Sequence, residues 1–332
     1  MNVNANAGAV QSRPSNPTTA SAAPAADTTP KAQTGKTSFN DVFQPAVQRL
    51  APVALHALNF TGPLGQAPSP QTRGGNPDIG VDRVKDAKYG HVDGTPFIQG
   101  SGDANAADWN DVQQGNLGDC YFMASAGEVA KQNPQLIQNA IKDNGDGSYT
   151  VRLYEKKGDG LFGWFGHHYE PKDIRVTPDF PVDANGNQVF AGPGDANGAQ
   201  KELWPSLMEK AYAQWKGSYH GIEGGNPGDA MSMLTGKDSE EKAGKDFSID
   251  HLDQALASGK AVVASTPGGE GEKVVRPGTS LYLDHSYMVT GVDKNAGTVT
   301  LRNPWGTWTP DVVLSIADFN KYIDHVDTNP TR

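Results

Sequence analysis

Residues 114–120 read QGNLGDC, and this stretch decides the fold. Cys120 follows a turn rich in Gly and Asp, and residues 121–131 are good helix formers that end before Pro134. Asp119 is placed to cap this helix. Cys120 then lies in the first helical turn, where unpaired N–H groups and the helix dipole favour a thiolate. The stretch therefore predicts a reactive thiol at a helix N-terminus.

The helical periodicity predicts which way Cys120 points. At about 100° per residue, one apolar stripe contains Phe122, Ala126, Val129 and Ala130, and Cys120 lies roughly 160–200° from the first three. The thiol is expected to face away from the core that this stripe buries. The alternative is a small buried cysteine with a structural role, because most lone cysteines are of that kind.

The composition bounds the class of protein. The 332 residues carry a net charge of −10, from 28 basic and 38 acidic side chains, which speaks against nucleic acid as a partner. Since Cys120 is the only cysteine, the fold contains no internal disulfide and needs no oxidising compartment. No apolar run approaches the ~20 residues of a membrane span.

Residues 1–80 are expected to be a disordered tail and linker with a short helix near 40–51. Residues 1–37 hold few charges and too little apolar surface to fold, and the Pro and Gly density over 61–80 indicates a linker. No conventional signal peptide is visible. The tail is either passive or an export signal, because its composition resembles the N-termini of bacterial type III effectors. The predicted location is cytoplasmic, or exported without a conventional signal peptide.

The rest of the chain is predicted to be α+β, with a mainly helical half followed by a mainly antiparallel half. Helices are expected over 121–131 and 202–216. The break GGNPG at 224–228 sets the boundary between two subdomains. Beyond it, short helices are expected at 229–235 and 249–258, and the apolar pattern then changes to period two. Strands are predicted at 260–266, 281–292, 298–303 and 311–314, and a last helix at 315–322.

A thiolate nucleophile needs a base and a group that orients the base. His285 lies on the strand before the predicted hairpin loop at 293–297, and Asn303 ends the strand after it. Antiparallel pairing sets residue 287 opposite 303, or 285 opposite 303 after a two-residue slip. Either register puts both side chains on one face. The pattern predicts a His–Asn pair; the alternative is a core histidine and a turn asparagine before Pro304.

The QGNLGDCY stretch resembles the active-site signature of the calpain family of papain-like cysteine proteases. Four further blocks match in the family's order. They are residues 182–190, 202–219, 285–289 (HSYMV) and 301–306 (LRNPWG). The resemblance implies a papain-like catalytic domain over 81–332: a helical subdomain at 81–224 that carries the cysteine, a β subdomain at 225–332 that carries the His and Asn, and a cleft between them.

The resemblance also implies a role for each site residue. Cys120 is the nucleophile, His285 holds it as a thiolate–imidazolium pair and protonates the leaving amine, and Asn303 fixes the His ring. Gln114 and the Cys120 backbone N–H form the oxyanion hole, and Trp305 shields the His–Asn bond from water. The implied activity is that of a thiol endopeptidase acting on protein substrates through an acyl-enzyme. The alternatives are a catalytically silent module that holds a partner segment in the cleft, and acyl transfer to an amine by the same triad.

Three features depart from the family pattern, and the mildest is Tyr121, where the family has Trp after the nucleophile. The residue before the catalytic His is Asp284 where the family usually has Gly, and its carboxylate is expected to narrow the cleft or raise the pKa of His285. Asp111 and Glu209 match acidic ligands of one of the family's two core calcium sites and are the candidate calcium ligands. The acidic residues of the other site are replaced by Thr307 and Thr309. No cofactor is expected to be required, and one weak calcium site at Asp111 and Glu209 is the open alternative.

Overall fold

The structure is a computed structural model that describes residues 75–332 except 102, 159–165, 195, 198–199, 270–274, 277 and 308. The predicted tail, the short helix near 40–51 and most of the linker lie outside the described residues. The described part of the chain has the predicted α+β composition, with the helices concentrated before the largest sheet.

Six α-helices are present among the described residues. They are α1 Cys120–Gln132, α2 Pro134–Ala140, α3 Trp204–Lys216, α4 Pro227–Thr235, α5 Ile249–Ala257 and α6 Ile316–Tyr322. In this part of the chain, no helix has the length and apolar character that crossing a bilayer requires.

The strands are short and almost all antiparallel. They are β1 Lys88–His91, β2 Gly94–Thr95, β3 Ile141–Asp143, β4 Tyr149–Gly158, β5 His167–Val176, β6 Asp179–Val182, β7 Ala196–Asn197, β8 Gln200–Glu202, β9 Glu240–Ala243, β10 Lys260–Ser265, β11 Ser286–Asp293, β12 Thr298–Arg302, β13 Val312–Ser315 and β14 His325–Pro330. Several of these strands form small sheets. One sheet joins β3, β4 and β5, another joins β1 and β6, and another joins β2, β8 and β7.

Helix α1 is enclosed on all sides. Residues 121–130 are all buried, including the polar Ser125 and Glu128. The prediction of a single apolar stripe is therefore wrong, because α4, β10 and β11 all pack against α1. The helix ends at Gln132, close to the predicted end. Pro134 opens α2, since proline is tolerated at the first helical position.

A six-stranded antiparallel sheet dominates the second half, in the order β13-β12-β11-β10-β14-β9. The predicted hairpin of β11 and β12 is confirmed, with Met288 paired to Arg302 and a register shift between Val289 and Gly291. The sequence does not predict β9 and β14. Their residues, EEKA and HVDTNP, lack the apolar alternation that marks a strand, and β14 buries polar side chains.

The buried apolar residues form two clusters on opposite faces of this sheet. The first joins α1, α3 and α4 to Ala261, Val263 and Met288. The second contains the alternate strand residues Val262 and Ala264, together with residues of α5 and α6. The subdomain boundary at 224–225 stays a prediction, and α4, which follows it, contributes to the first cluster.

Gly127 allows α1 to approach β11 closely. A Cβ at Gly127 would lie 2.3 Å from the Sδ of Met288, so any larger residue here would require the Met288 side chain to move. Cys120 lies about two helical turns before Gly127, and Ser286 lies two residues before Met288. The contact therefore carries the start of α1 to the start of β11, which directly follows His285.

Glu128 places a carboxyl group in the same interface. Its Oε2 accepts a hydrogen bond from the Val262 N–H on β10 at 3.3 Å, and Oε1 has no hydrogen-bond partner. Burial raises the pKa of Glu128 to about 8, although Lys131 and the Val262 bond act to lower it. The folded pKa lies above the unfolded value of about 4.3. The folded state is therefore destabilised progressively as pH rises from about 4 through 8.

We predict that Glu128→Gln reduces this loss of stability. Glutamine has a similar size, can accept the same Val262 bond and carries no charge at any pH. We expect the melting temperature of the variant to exceed that of the parent by several degrees at about pH 9 and to approach it at about pH 5. Scanning calorimetry measures this, with Glu170→Gln on exposed β5 as the control. Equal destabilisation at both pH values would contradict the prediction.

Candidate active site

His285 and Asn303 meet across the β11–β12 hairpin. His285 Nε2 lies 2.8 Å from Asn303 Oδ1, and both side chains are buried. The pairing of Met288 with Arg302, continued by one residue, sets Tyr287 opposite Asn303. This is the first of the two registers that the sequence leaves open.

The hydrogen bonds assign the tautomer of His285. Asn303 Oδ1 also accepts the Trp305 backbone N–H at 3.0 Å. Because a backbone N–H can only donate, the carboxamide oxygen must face it. The bond to His285 is then donated by its Nε2–H, which leaves Nδ1 as the ring nitrogen with the lone pair. His285 is thus oriented as a base at Nδ1.

Aromatic rings surround the imidazole. The Trp305 ring centroid lies 5.0 Å from that of His285, and Tyr287 packs edge-on against the imidazole at 4.9 Å. Tyr282 contacts Trp305 in turn, at 4.8 Å. This burial lowers the pKa of His285 to about 4, and the bond to Asn303 opposes the shift in part. Trp305 thus covers the His–Asn pair as expected.

Cys120 begins α1 and contacts Ser286, the residue after His285. Burial raises the pKa of Cys120 to about 12. Hydrogen bonding by Ser286 partly offsets this increase, whereas the negative charges of Asp119 and Asp284 add to it. The expectation of a thiol pKa lowered by the helix terminus is therefore wrong for this structure, because desolvation outweighs the hydrogen bonds. Burial thus favours the uncharged form of both the thiol and the imidazole.

Asp284 adopts an unusual backbone conformation. Its φ of 52° is the only positive φ of a non-glycine residue in the described part of the chain. Glycine adopts this region without strain, whereas a residue with a Cβ is disfavoured there. The Asp284 side chain is exposed, and its charge is among the causes that raise the pKa of Cys120. It is not among the causes acting on His285, so the expectation of a raised His285 pKa is wrong.

Asp119 does not cap α1, in contrast to the sequence prediction. Its side chain is fully buried and makes no capping hydrogen bond. Instead Oδ1 accepts a hydrogen bond from Gln114 Nε2 at 3.1 Å, and the carboxyl group interacts with Glu209 on α3. Both carboxyl oxygens of Glu209 lie near the Ala191 N–H, at 3.0 and 3.2 Å.

Asp119 and Glu209 form a buried acid pair directly before the cysteine. Burial raises the pKa of Asp119 to about 7 and the pKa of Glu209 well above its usual range. The hydrogen bond between the two groups acts to lower the pKa of Asp119 and to raise the pKa of Glu209. Because two carboxylates in contact cannot both ionise readily, burial and mutual repulsion favour a proton shared within the pair. The sequence shows both acids but not their contact, since they lie on separate elements.

Gln114 is held at the site by its backbone, while its side chain turns into its own loop. The Gln114 N–H donates to Pro304 O at 2.8 Å, which joins this loop to the segment after Asn303. Nε2 donates to Leu117 O at 2.6 Å and to Asp119 Oδ1 at 3.1 Å, and Oε1 is buried without a partner. The carboxamide hydrogens expected for an oxyanion hole are thus directed into the loop in this structure.

The two candidate calcium ligands have separate partners. Asp111 Oδ2 accepts hydrogen bonds from the Trp204 Nε1–H and the Asp108 N–H, both at 2.7 Å. Glu209 interacts with Asp119 as described above. Neither residue belongs to the one group of three or more metal-ligating side chains found among the described residues. Calcium binding by Asp111 and Glu209 stays a prediction.

The family assignment follows from comparison with known proteins. Residues 101–318 match the family described as calpain family cysteine protease. The chain belongs to the calpain family of cysteine proteases. Its fold is accordingly the papain-like fold of the calpain catalytic domain.

Individual calpains are similar to part of this chain. Calpain-9 of Mus musculus is 30% identical over 207 residues, which cover 59% of this chain and 28% of calpain-9. Calpain-13 of Rattus norvegicus is 32% identical over a stretch that covers 59% of this chain and 29% of calpain-13. The calpain-type cysteine protease DEK1 of Arabidopsis thaliana is 33% identical over a stretch that covers 62% of this chain and 9% of DEK1. The matched region thus spans less than a third of the length of these relatives.

We predict that Asp284→Asn raises the rate at which iodoacetamide alkylates Cys120. Removing the carboxylate lowers the pKa of the thiol, so more thiolate is present at a given pH, by up to about tenfold for each pKa unit. Asparagine tolerates a positive φ, so the backbone is preserved.

Intact mass spectrometry at about pH 8 reports this reaction cleanly, because Cys120 is the only cysteine. Asp293→Asn, at the far end of β11, is the matched control and should react like the parent. An unchanged or slower rate for the Asp284 variant alone would contradict the assignment.

Proposed function

We propose that this calpain-family chain is an endopeptidase that cleaves protein substrates with Cys120, His285 and Asn303. Membership of the family supports peptidase function in general. The observation that carries the specific assignment is the His285–Asn303 bond beside the residue that contacts Cys120. Nδ1 of His285 is the nitrogen with the lone pair, as a general base requires.

The proton of the thiol moves during attack. His285 Nδ1 takes the Cys120 proton, and the sulfur attacks the substrate carbonyl carbon. The imidazolium and the anionic tetrahedral intermediate then form next to each other. Asn303 Oδ1 accepts the Nε2–H throughout, which fixes the ring and stabilises its positive charge. Substrate binding that excludes water strengthens this charge pairing.

The second half of the reaction returns the proton. His285 protonates the leaving amine, which departs and leaves a thioester between Cys120 and the acyl half of the substrate. Water then attacks the thioester while His285 accepts its proton, and the acid product and free thiol are released. The reaction is net hydrolysis of one peptide bond.

The developing oxyanion takes its donors from the loop before α1. The Cys120 backbone N–H is the first donor, and the Gln114 Nε2–H becomes the second when it turns away from Leu117 O. Each such donor stabilises the transition state by roughly 3–4 kcal/mol. The Asp119–Glu209 pair holds this loop in place during the rearrangement.

The test is cleavage of an unfolded protein such as casein by the full chain. Cys120→Ala should abolish cleavage, and His285→Ala should lower kcat by about 10²–10⁴-fold. Asn303→Ala should lower kcat more than it raises KM, because Asn303 orients the base without binding substrate. His168→Ala on β5 should cleave like the parent.

Undiminished cleavage by Cys120→Ala would overturn the proposal. A parent chain that binds casein saturably without cleaving it would instead favour a silent binding module. Products whose mass shows an added amine in place of water would indicate acyl transfer. Melting temperatures of the variants establish that each is folded.

A further inference from the structure

A second group of chemically active side chains lies outside the catalytic site. It consists of Glu241 on β9 and His325 and Asp327 on β14. We propose that these three residues bind a divalent transition-metal ion such as Zn²⁺. This inference is independent of the protease mechanism.

The sheet register puts the three side chains on one face. Asp327 pairs directly with Glu241, and His325 lies two residues before Asp327 on the same strand. One ligand atom from each lies within 4.8 Å of the others. His325 Nε2 and Asp327 Oδ2 are 3.6 Å apart. Tetrahedral ligands about 2.0–2.2 Å from zinc are roughly 3.3–3.6 Å apart, so this pair already has a suitable spacing.

Asp327 has a buried oxygen without a hydrogen bond. Its side chain is 1% exposed, and Oδ2 has no hydrogen-bond partner. The Gly228 N–H at the start of α4 also hydrogen-bonds the carboxyl group. A buried carboxylate oxygen left unpaired is costly. Asp327 and Glu241, but not His325, line a cavity of about 350 Å³. A cation bound by the three side chains supplies the missing partner of Asp327.

His325 is oriented as metal-binding histidines usually are. Its Nδ1 lies 3.0 Å from the carboxylate of Asp324, to which it can donate. That bond leaves Nε2 with the lone pair, directed toward Asp327. Metal ligands commonly have such a carboxylate on the second ring nitrogen, which fixes the tautomer and raises basicity. The Nε2 lone pair of His325 and the carboxylate of Asp327 therefore face each other without a hydrogen bond. A cation between them stabilises this arrangement.

The charge of the cavity also favours a cation. Four carboxylates line it, from Asp229, Asp238, Glu241 and Asp327, against the single ammonium of Lys156. Asn226 Nδ2 donates to Glu241 Oε2 at 2.9 Å and orients that ligand. One imidazole with two carboxylates suits zinc and similar ions, whereas calcium prefers a shell of oxygen atoms. Water in the cavity completes the coordination.

The test uses the full chain with Cys120→Ala, so that the catalytic thiol cannot bind the metal. Titration calorimetry with Zn²⁺ alone should show one saturable site, and Zn²⁺ should raise the melting temperature. Asp324→Asn should weaken binding about 10–100-fold. His325→Ala and Asp327→Asn, which remove ligands, should weaken it at least as much. Ca²⁺ should not saturate this site.

His91→Ala is the matched control, since His91 is exposed and also lies beside two carboxylates, those of Asp93 and Asp179. It should bind Zn²⁺ like the Cys120→Ala protein. No saturable binding, or unchanged affinity in His325→Ala, would overturn the proposal. His325 is partly exposed, so this variant decides the outcome even if Asp327→Asn fails to fold.

Discussion

The close contact of α1 with β11 is the constraint on which the candidate active site depends. Gly127 leaves the space that Met288 occupies, and burial of that methionine stabilises the interface by roughly 1.5–3 kcal/mol. Cys120 and His285 lie far apart in the chain and belong to different elements. Only this packing brings the start of the helix to the residue that follows His285. Tertiary packing of the first apolar cluster therefore places Cys120 against Ser286, the residue that follows His285.

Burial of polar groups governs the chemistry of this interface. The same desolvation that raises the pKa of Cys120 lowers the pKa of His285. Burial also raises the pKa values of Asp119 and Glu128. Burial therefore favours the uncharged forms of the groups at the centre of the candidate site. Protons held on buried carboxyl groups make the fold around α1 sensitive to alkaline pH. Stability and the protonation state of the site thus share one physical cause.

The sequence predicts those features that depend on local pattern. The hairpin that joins His285 to Asn303 follows from alternating residues and a turn, and the helix after Cys120 follows from composition. The Asp119–Glu209 pair could not be predicted from spacing, because α3 reaches the loop only in the folded chain. The left-handed conformation of Asp284 has no signal in a single sequence, since aspartate rarely adopts it. The sequence likewise does not predict β14, because its residues are mostly polar and are buried by partners distant in sequence.

The most direct measurement of the central claim is disulfide trapping between α1 and β11. Ser286→Cys introduces one thiol beside Cys120, in a chain with no other cysteine. Mild oxidation should produce an intramolecular disulfide, seen as loss of both titratable thiols in a monomer of unchanged size. If both thiols remain titratable, or if only intermolecular disulfides form, the start of α1 does not lie against the start of β11 and the proposed site is not assembled.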